Sequence, residues 1–137
     1  MSGTHSMIDF YEYLYCSVLS PDEDVACIPE ILVQARARNA QHQVTGLLIF
    51  DGQRFCQHFE GPRARVQELM ARISADRRHI QVQIVHQGHL ERRRYDRFDM
   101  GFAEPDDPET IAGLPLLHGP AALARFIALQ PGFDVSG

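Results

Sequence analysis

Lysine is absent from this chain of 137 residues, and all 13 basic side chains are arginine. Any anion held by a side-chain cation must therefore be held by a planar guanidinium fork. Tryptophan is absent too. The three cysteines, Cys16, Cys27 and Cys56, are odd in number and lack paired spacing. They fit free thiols in a reducing, cytoplasmic location better than a disulfide framework. No apolar run is long enough to span a bilayer, and no signal peptide is recognisable, so no membrane partner is expected. Internal repeats and low-complexity tracts are missing. A net charge of −5 speaks against non-specific affinity for nucleic acid.

What is present suffices for one domain: 45% of the residues are hydrophobic, enough for a real core at this length. Residues 1–6 are short and polar, and are expected to be disordered or vector-derived. Residues 8–17 are rich in aromatic and β-forming side chains and predict a first strand. Residues 20–24 form a turn, and 28–39 predict a helix with Pro29 in its first turn. Ile31, Leu32 and Ala35 supply its apolar stripe. An apolar run over 43–50 pairs through Asp51-Gly52 with residues 54–60 as a hairpin. Gly61-Pro62 should open a second helix, in which Val66, Leu69, Met70 and Ile73 recur at helical spacing and which ends over 76–79. Ile80, Val82 and Ile84 alternate with glutamines in a fourth strand. After the polar link 91–94, a short last strand carries Phe98, Met100 and Phe102.

The order is β-α-β-β-α-β with one extra strand, which predicts an α+β ferredoxin-like sandwich with two helices on one face of a mixed sheet. The domain should span 7–104. From Pro105 onward prolines punctuate short segments, and residues 121–129 are amphipathic. The region 105–137 is expected to form a C-terminal helical extension that packs on the open face of the sheet.

One residue stands out against this scaffold. In the strand over 54–60, Phe55, Gln57 and Phe59 share a face, because residues two apart point the same way. A primary amide is thus set between two phenylalanines. If buried, it must find partners for two donors and an acceptor or cost a few kcal/mol. The plain alternative is a glutamine on a solvent-facing strand.

Three strings accompany it in order: Leu14-Tyr15-Cys16-Ser17; Arg38-Asn39-Ala40 followed by Thr45-Gly46; and Phe55-Cys56-Gln57-His58-Phe59-Glu60-Gly61. The Asn-x5-Thr-Gly spacing followed by Gln-x2-Glu-Gly, extended by Asp76-Arg77-Arg78-His79 and Phe98-Asp99-Met100, resembles the BLUF domain, a blue-light sensor that uses flavin. The resemblance covers residues 8 to 103. It implies a flavin, FAD in the family, between the two helices; FMN or riboflavin would make the same ring contacts. It further implies that Tyr15 gives an electron to the photoexcited ring while its proton moves through Gln57. The Gln57 amide then rotates or tautomerises, changing the hydrogen bonds around an unaltered ring. Asn39 would hold the pyrimidine edge, although an asparagine there could instead be a left-handed helix cap. Arg38, Arg78 and His79 resemble positions near the ring carbonyls, ribityl chain or phosphate. Without the resemblance, Arg38 reads as an ordinary surface arginine, and Arg78 and His79 as cations favoured at a helix C-terminus. Leu48 and Phe55 are expected as apolar ring contacts. Met100 corresponds to the family's output methionine, and Phe98 stands where many members carry tryptophan, which removes a competing electron donor and any switching by that indole. Output would pass to an unidentified protein or to a second copy of the chain in a homo-oligomer, with no enzymatic activity of its own.

Other chemistries fare worse. An acylphosphatase would need an anion-binding loop after the first strand, but residues 17–24 carry three acids and no arginine. An RNA-binding sheet needs aromatics on its open face; Tyr11, Tyr13 and the run Arg92-Arg93-Arg94 suggest it, yet an arginine run is usually a solvated loop. Cys56, His58 and His42 fall short of the four ligands of structural zinc, so no metal is expected.

Overall fold

A computed structural model describes residues 9–94, 101–104, 111 and 113–128. Strand β1 (Phe10–Leu19) leads through a short 3-10 turn (Val25–Cys27) into α1 (Ile28–His42). The hairpin of β2 (Thr45–Phe50) and β3 (Arg54–Pro62) precedes α2 (Arg63–Ala75). Then follow β4 (His79–Leu90), the short β5 (Gly101–Ala103), a 3-10 turn (Leu114–Leu116) and α3 (Pro120–Ile127). The strands form one sheet in the order β4-β1-β3-β2-β5, antiparallel except for the β2–β5 pair. This is the expected α+β sandwich with a mixed sheet.

The sheet has a core on each side. Tyr11, Tyr13, Tyr15 and Phe59 point towards α2, where they meet Val66, Met70 and Ile73. Leu48, Phe50 and Phe55 pack on α1 through Ile31, Leu32 and Ala35. The alternate residues Leu14, Cys16, Leu47, Ile49 and Cys56 point the other way and are covered by Ile111, Leu114, Leu123 and Phe126. The period of two along each strand thus feeds two separate cores. The hairpin closes where Asp51 Oδ1 accepts from the backbone N–H groups of Gln53 and Arg54, at 2.9 and 2.7 Å, with Gly52 at φ 99°. Gly46 is required by a close approach: a Cβ there would lie 2.5 Å from the carbonyl oxygen of His58.

Several expectations need correction. Gly61-Pro62 does open α2, with Pro62 as its N-cap, but both residues also belong to the end of β3, paired with Tyr11 and Phe10. α1 runs on to His42, and the left-handed cap is Gln43 at φ 61°, whose N–H returns to the Asn39 carbonyl. Asn39 is therefore a buried residue inside the helix, not its cap. α2 does end where residues 76–79 begin, with Asp76 as its C-cap. In β4 the simple alternation breaks at two irregularities against β1, with Gln81 at φ 54°. Ile80 and Ile84 are consequently exposed on this edge strand, and Val85 fills the core position instead. Of the last strand's apolar set, Phe102 packs near α1; Phe98 and Met100 lie outside the described residues.

Candidate functional site

Cross-strand register decides which side chains meet. Tyr15 lies opposite Gln57, Gln57 opposite Leu48, and Leu48 opposite Phe102. One row therefore crosses β1, β3, β2 and β5 on the side facing α1 and α2. Within it Tyr15 Oη donates to Gln57 Oε1 at 2.6 Å. Both residues are buried, Tyr15 to 1% exposure and Gln57 to 5%, so the solvent-facing reading of Gln57 fails. Its carbonyl accepts from the phenol, and the other end of the amide is a donor NH₂ group.

The pair forms the floor of a cleft between α1 and α2, enclosing about 550 Å³ of empty space including its mouth. Tyr15, Arg38, Asn39, Leu48, Phe55, Gln57, Arg78 and His79 all line it. The structure thus gathers into one cavity residues spread from position 15 to position 79 of the sequence. Asn39, 1% exposed, brings a second primary amide to the same wall. Phe55 and Leu48 supply flat apolar surface, and Phe55 stacks on Phe50 with centroids 4.6 Å apart.

Burial raises the Tyr15 pKa well above that of an ordinary phenol, helped by the nearby Cys56, Cys16 and Asp76. The ground-state phenol therefore keeps its proton. Burial also lowers the His79 pKa, leaving a neutral imidazole at pH 7. Its Nδ1 is 2.9 Å from Ser17 Oγ, and its ring packs 4.7 Å from that of Phe55. Arg78 is clamped by Asp76 through Nε and Nη2, at 3.0 and 2.7 Å, which raises the guanidinium pKa. Burial disfavours the charge on Asp76, but those same hydrogen bonds outweigh it and lower the carboxyl pKa. At the mouth, desolvation and the charges of Arg72 and Arg78 lower the Arg38 pKa. Crowding of three guanidinium groups is unfavourable alone and is relieved by an anion.

Aromatic contact surface, two buried amides and a cationic rim fit a flat heteroaromatic ring carrying a phosphorylated tail. Against known families, residues 10–101 match the model described as BLUF, sensors of blue-light using FAD. The chain belongs to the BLUF family. Over 99 residues it is 34% identical to the blue light- and temperature-regulated antirepressor BluF of Escherichia coli K12, covering 69% of this chain but a quarter of that protein. The BLUF protein BlrB in its dark state superposes with a TM-score of 0.66 at 28% identity, covering 91% of this chain and 82% of that one. BlsA in its ground state gives 0.78 at 21% identity, over 93% and 91% of the two chains, a likeness of fold.

Sequence reasoning missed part of this BLUF cleft. Asp76 lines it, as do Ile31, Gln34, Ala35, Leu69 and Ile73 on the helices; Ser17 contacts His79, and Arg72 lies on the adjoining surface with Arg38 and Arg78. Ile31 and Ala35, and Leu69 and Ile73, are four apart on facing helices, a spacing that ordinary core residues share. The RNA-platform and zinc readings do not fit the geometry. Tyr11 and Tyr13 lie under α2, with Arg63 over the Tyr11 ring at 5.0 Å, so they offer no platform for bases. His42 sits beside α2 residues, whereas His58 is buried on the opposite face against Phe126, and no metal-ligating group of three occurs among the described residues. The arginine run is an exposed loop, as expected, but two of its members are fastened to the sheet. Arg94 reaches Glu12 through Nε at 2.9 Å, and its backbone N–H donates to Glu60 at 2.8 Å. Arg93 donates to Thr45 Oγ1 at 3.2 Å. No helix among the described residues is long and apolar enough to cross a membrane.

Proposed function

We propose that this BLUF domain signals blue light by a proton-coupled loss of an electron from Tyr15, relayed through the Gln57 amide. The observation that carries the reading is the 2.6 Å bond from Tyr15 to Gln57 in a dry site at the floor of the cleft. A flavin held there would supply a strong oxidant on absorbing blue light. Tyr15 can meet that demand because its proton has somewhere to go: oxidation of a phenol is far less costly when the proton leaves along an existing hydrogen bond. Gln57 receives it and turns or tautomerises, exchanging donor for acceptor towards the ring. A carboxylate could not do this, being acceptor-only when ionised. Asn39 would orient the pyrimidine edge, Leu48 and Phe55 would exclude water, and Arg38 with Arg72 would meet the phosphates. FMN or riboflavin would satisfy the same ring contacts, with fewer at the rim.

The row Tyr15–Gln57–Leu48–Phe102 supports an output route along the sheet to β5, and from there to Met100 and the tail. In this reading the chain acts without catalysis of its own, inside the cytoplasm, on another protein or a second copy. The purified protein is expected to be yellow, with a flavin spectrum that moves reversibly to the red under blue light. Tyr15→Phe and Gln57→Leu should each retain the pigment and lose the shift. A normal photocycle in either variant would remove the relay assignment.

A further inference from the structure

Behind the Tyr15–Gln57 row lies the next one, where Cys16 of β1 stands opposite Cys56 of β3. Their Sγ atoms are 3.0 Å apart, on the face away from the cleft and beneath the tail residues Leu114, Leu123 and Phe126. Directly opposed residues of antiparallel strands have Cα atoms about 4.5 or 5.5 Å apart, and disulfides bridge Cα separations of about 4.4–6.8 Å. The two backbones are therefore already placed for a bond. The photochemistry uses neither thiol. The third cysteine, Cys27, sits beside α1 on the other side of the sheet.

We propose that Cys16 and Cys56 are a redox-active dithiol, oxidised by a hydroperoxide to a cross-strand disulfide that retunes the adjacent Tyr15–Gln57 hydrogen bond. In the first step one thiol sulfur attacks a peroxide oxygen, the O–O bond breaks, and the sulfur becomes a sulfenic acid as water leaves. In the second, the other sulfur displaces that hydroxyl as a second water, forming the S–S bond. Overall two thiols are oxidised and one hydrogen peroxide is reduced to two waters. Cys16 is 4% exposed and Cys56 is wholly covered. Only a small oxidant fits this site, and lifting the tail would speed the reaction. Closing the bond ties β1 to β3 one residue from the relay and restrains how Tyr15 can move against Gln57.

The coupling to the photocycle rests on the function proposed above; formation of the bond does not. The test uses the flavin-loaded full chain carrying Cys27→Ser, treated with hydrogen peroxide in darkness and under blue light, then denatured and alkylated. The expected result is loss of both alkylatable thiols and a tryptic fragment 55–63 joined to the fragment that carries Cys16. Dark recovery should change by about twofold or more, restored by a thiol reductant. Cys16→Ser, or Cys56→Ala should the serine misfold, should yield no linked fragment and a recovery indifferent to peroxide. Two thiols that stay alkylatable after peroxide would overturn the proposal, as would a disulfide that leaves recovery and spectral shift unchanged. Should the reduced protein show no photocycle at all, the sensor reading fails, and the linked fragment alone then decides the dithiol.

Discussion

At the scale of single residues, the chain sets two buried polar centres on opposite faces of β1 and β3. One is the Tyr15–Gln57 relay. The other is built on Glu12, which stands directly opposite Glu60 across the two strands. Like charges facing each other in a sheet repel, and here the repulsion is offset by donors. Glu12 is 2.7 Å from His58 Nε2 and 3.0 Å from His86 Nε2, and it takes Arg94 Nε at 2.9 Å. Burial alone would raise its carboxyl pKa, but hydrogen bonds from His58 and Arg94, the His58 charge and the His86 bond bring it down to about 2. A carboxyl depressed by folding contributes stability that is complete above its unfolded value of 4.5 and lost as pH falls through about 2. Acid unfolding followed by circular dichroism should therefore show a loss of stability between these limits. In Glu12→Gln that pH dependence should largely vanish, while stability at neutral pH falls by about 3 kcal/mol, because a partner of a buried ionic cluster has been removed. An unchanged acid profile in the variant would show that Glu12 does not carry it.

At the scale of elements, two fits are tight enough to predict. β2 lies so close to β3 at Gly46 that any side chain there meets the backbone of His58. Gly46→Ala should cost about 1–3 kcal/mol by overpacking, measured by denaturant unfolding, and should loosen flavin binding because Leu48 moves with β2. Equal midpoints for variant and parent would refute the close approach. α3 carries Phe126, fully buried beneath the sheet and near His58. Phe126→Ala should remove about 3–5 kcal/mol while leaving Tyr15 and Gln57 in place, so the spectral shift should persist at a lower melting temperature. The arginine link between β4 and β5 is likewise a structural element, since Arg93 and Arg94 fasten it to Thr45, Glu12 and Glu60.

At the scale of the whole molecule, the sheet is the shared wall between the cleft and the tail. A change in the hydrogen bonds of Gln57 can bias the tail only if the sheet has two arrangements of differing energy. Hydrogen exchange over residues 113–128 is expected to differ between dark and lit protein. Replacing Met100, which lies outside the described residues, should shrink that difference while the red shift remains; an undiminished difference would exclude the route through β5.

The order of strands and helices was legible in the sequence because hydrophobic period and turn chemistry are local. Asp51-Gly52 marked the hairpin, and the alternation of Phe55, Gln57 and Phe59 marked a face. Boundaries set by partners were not legible. That Gly61-Pro62, besides entering the helix, also closes β3 shows only once β1 pairs with it, and the bulged course of β4 depends on its edge position. The polar residues of the cleft could be named in advance, since amides and a phenol among apolar neighbours are conspicuous. Glu12, Glu60 and Arg94 were invisible as a group, because charges so far apart along the chain read as surface until the register brings them together. What the sequence by itself determined was which residues share a strand face; which faces meet, and therefore which charges are buried and which thiols touch, was decided by the pairing of β1 with β3, a contact between segments some 40 residues apart.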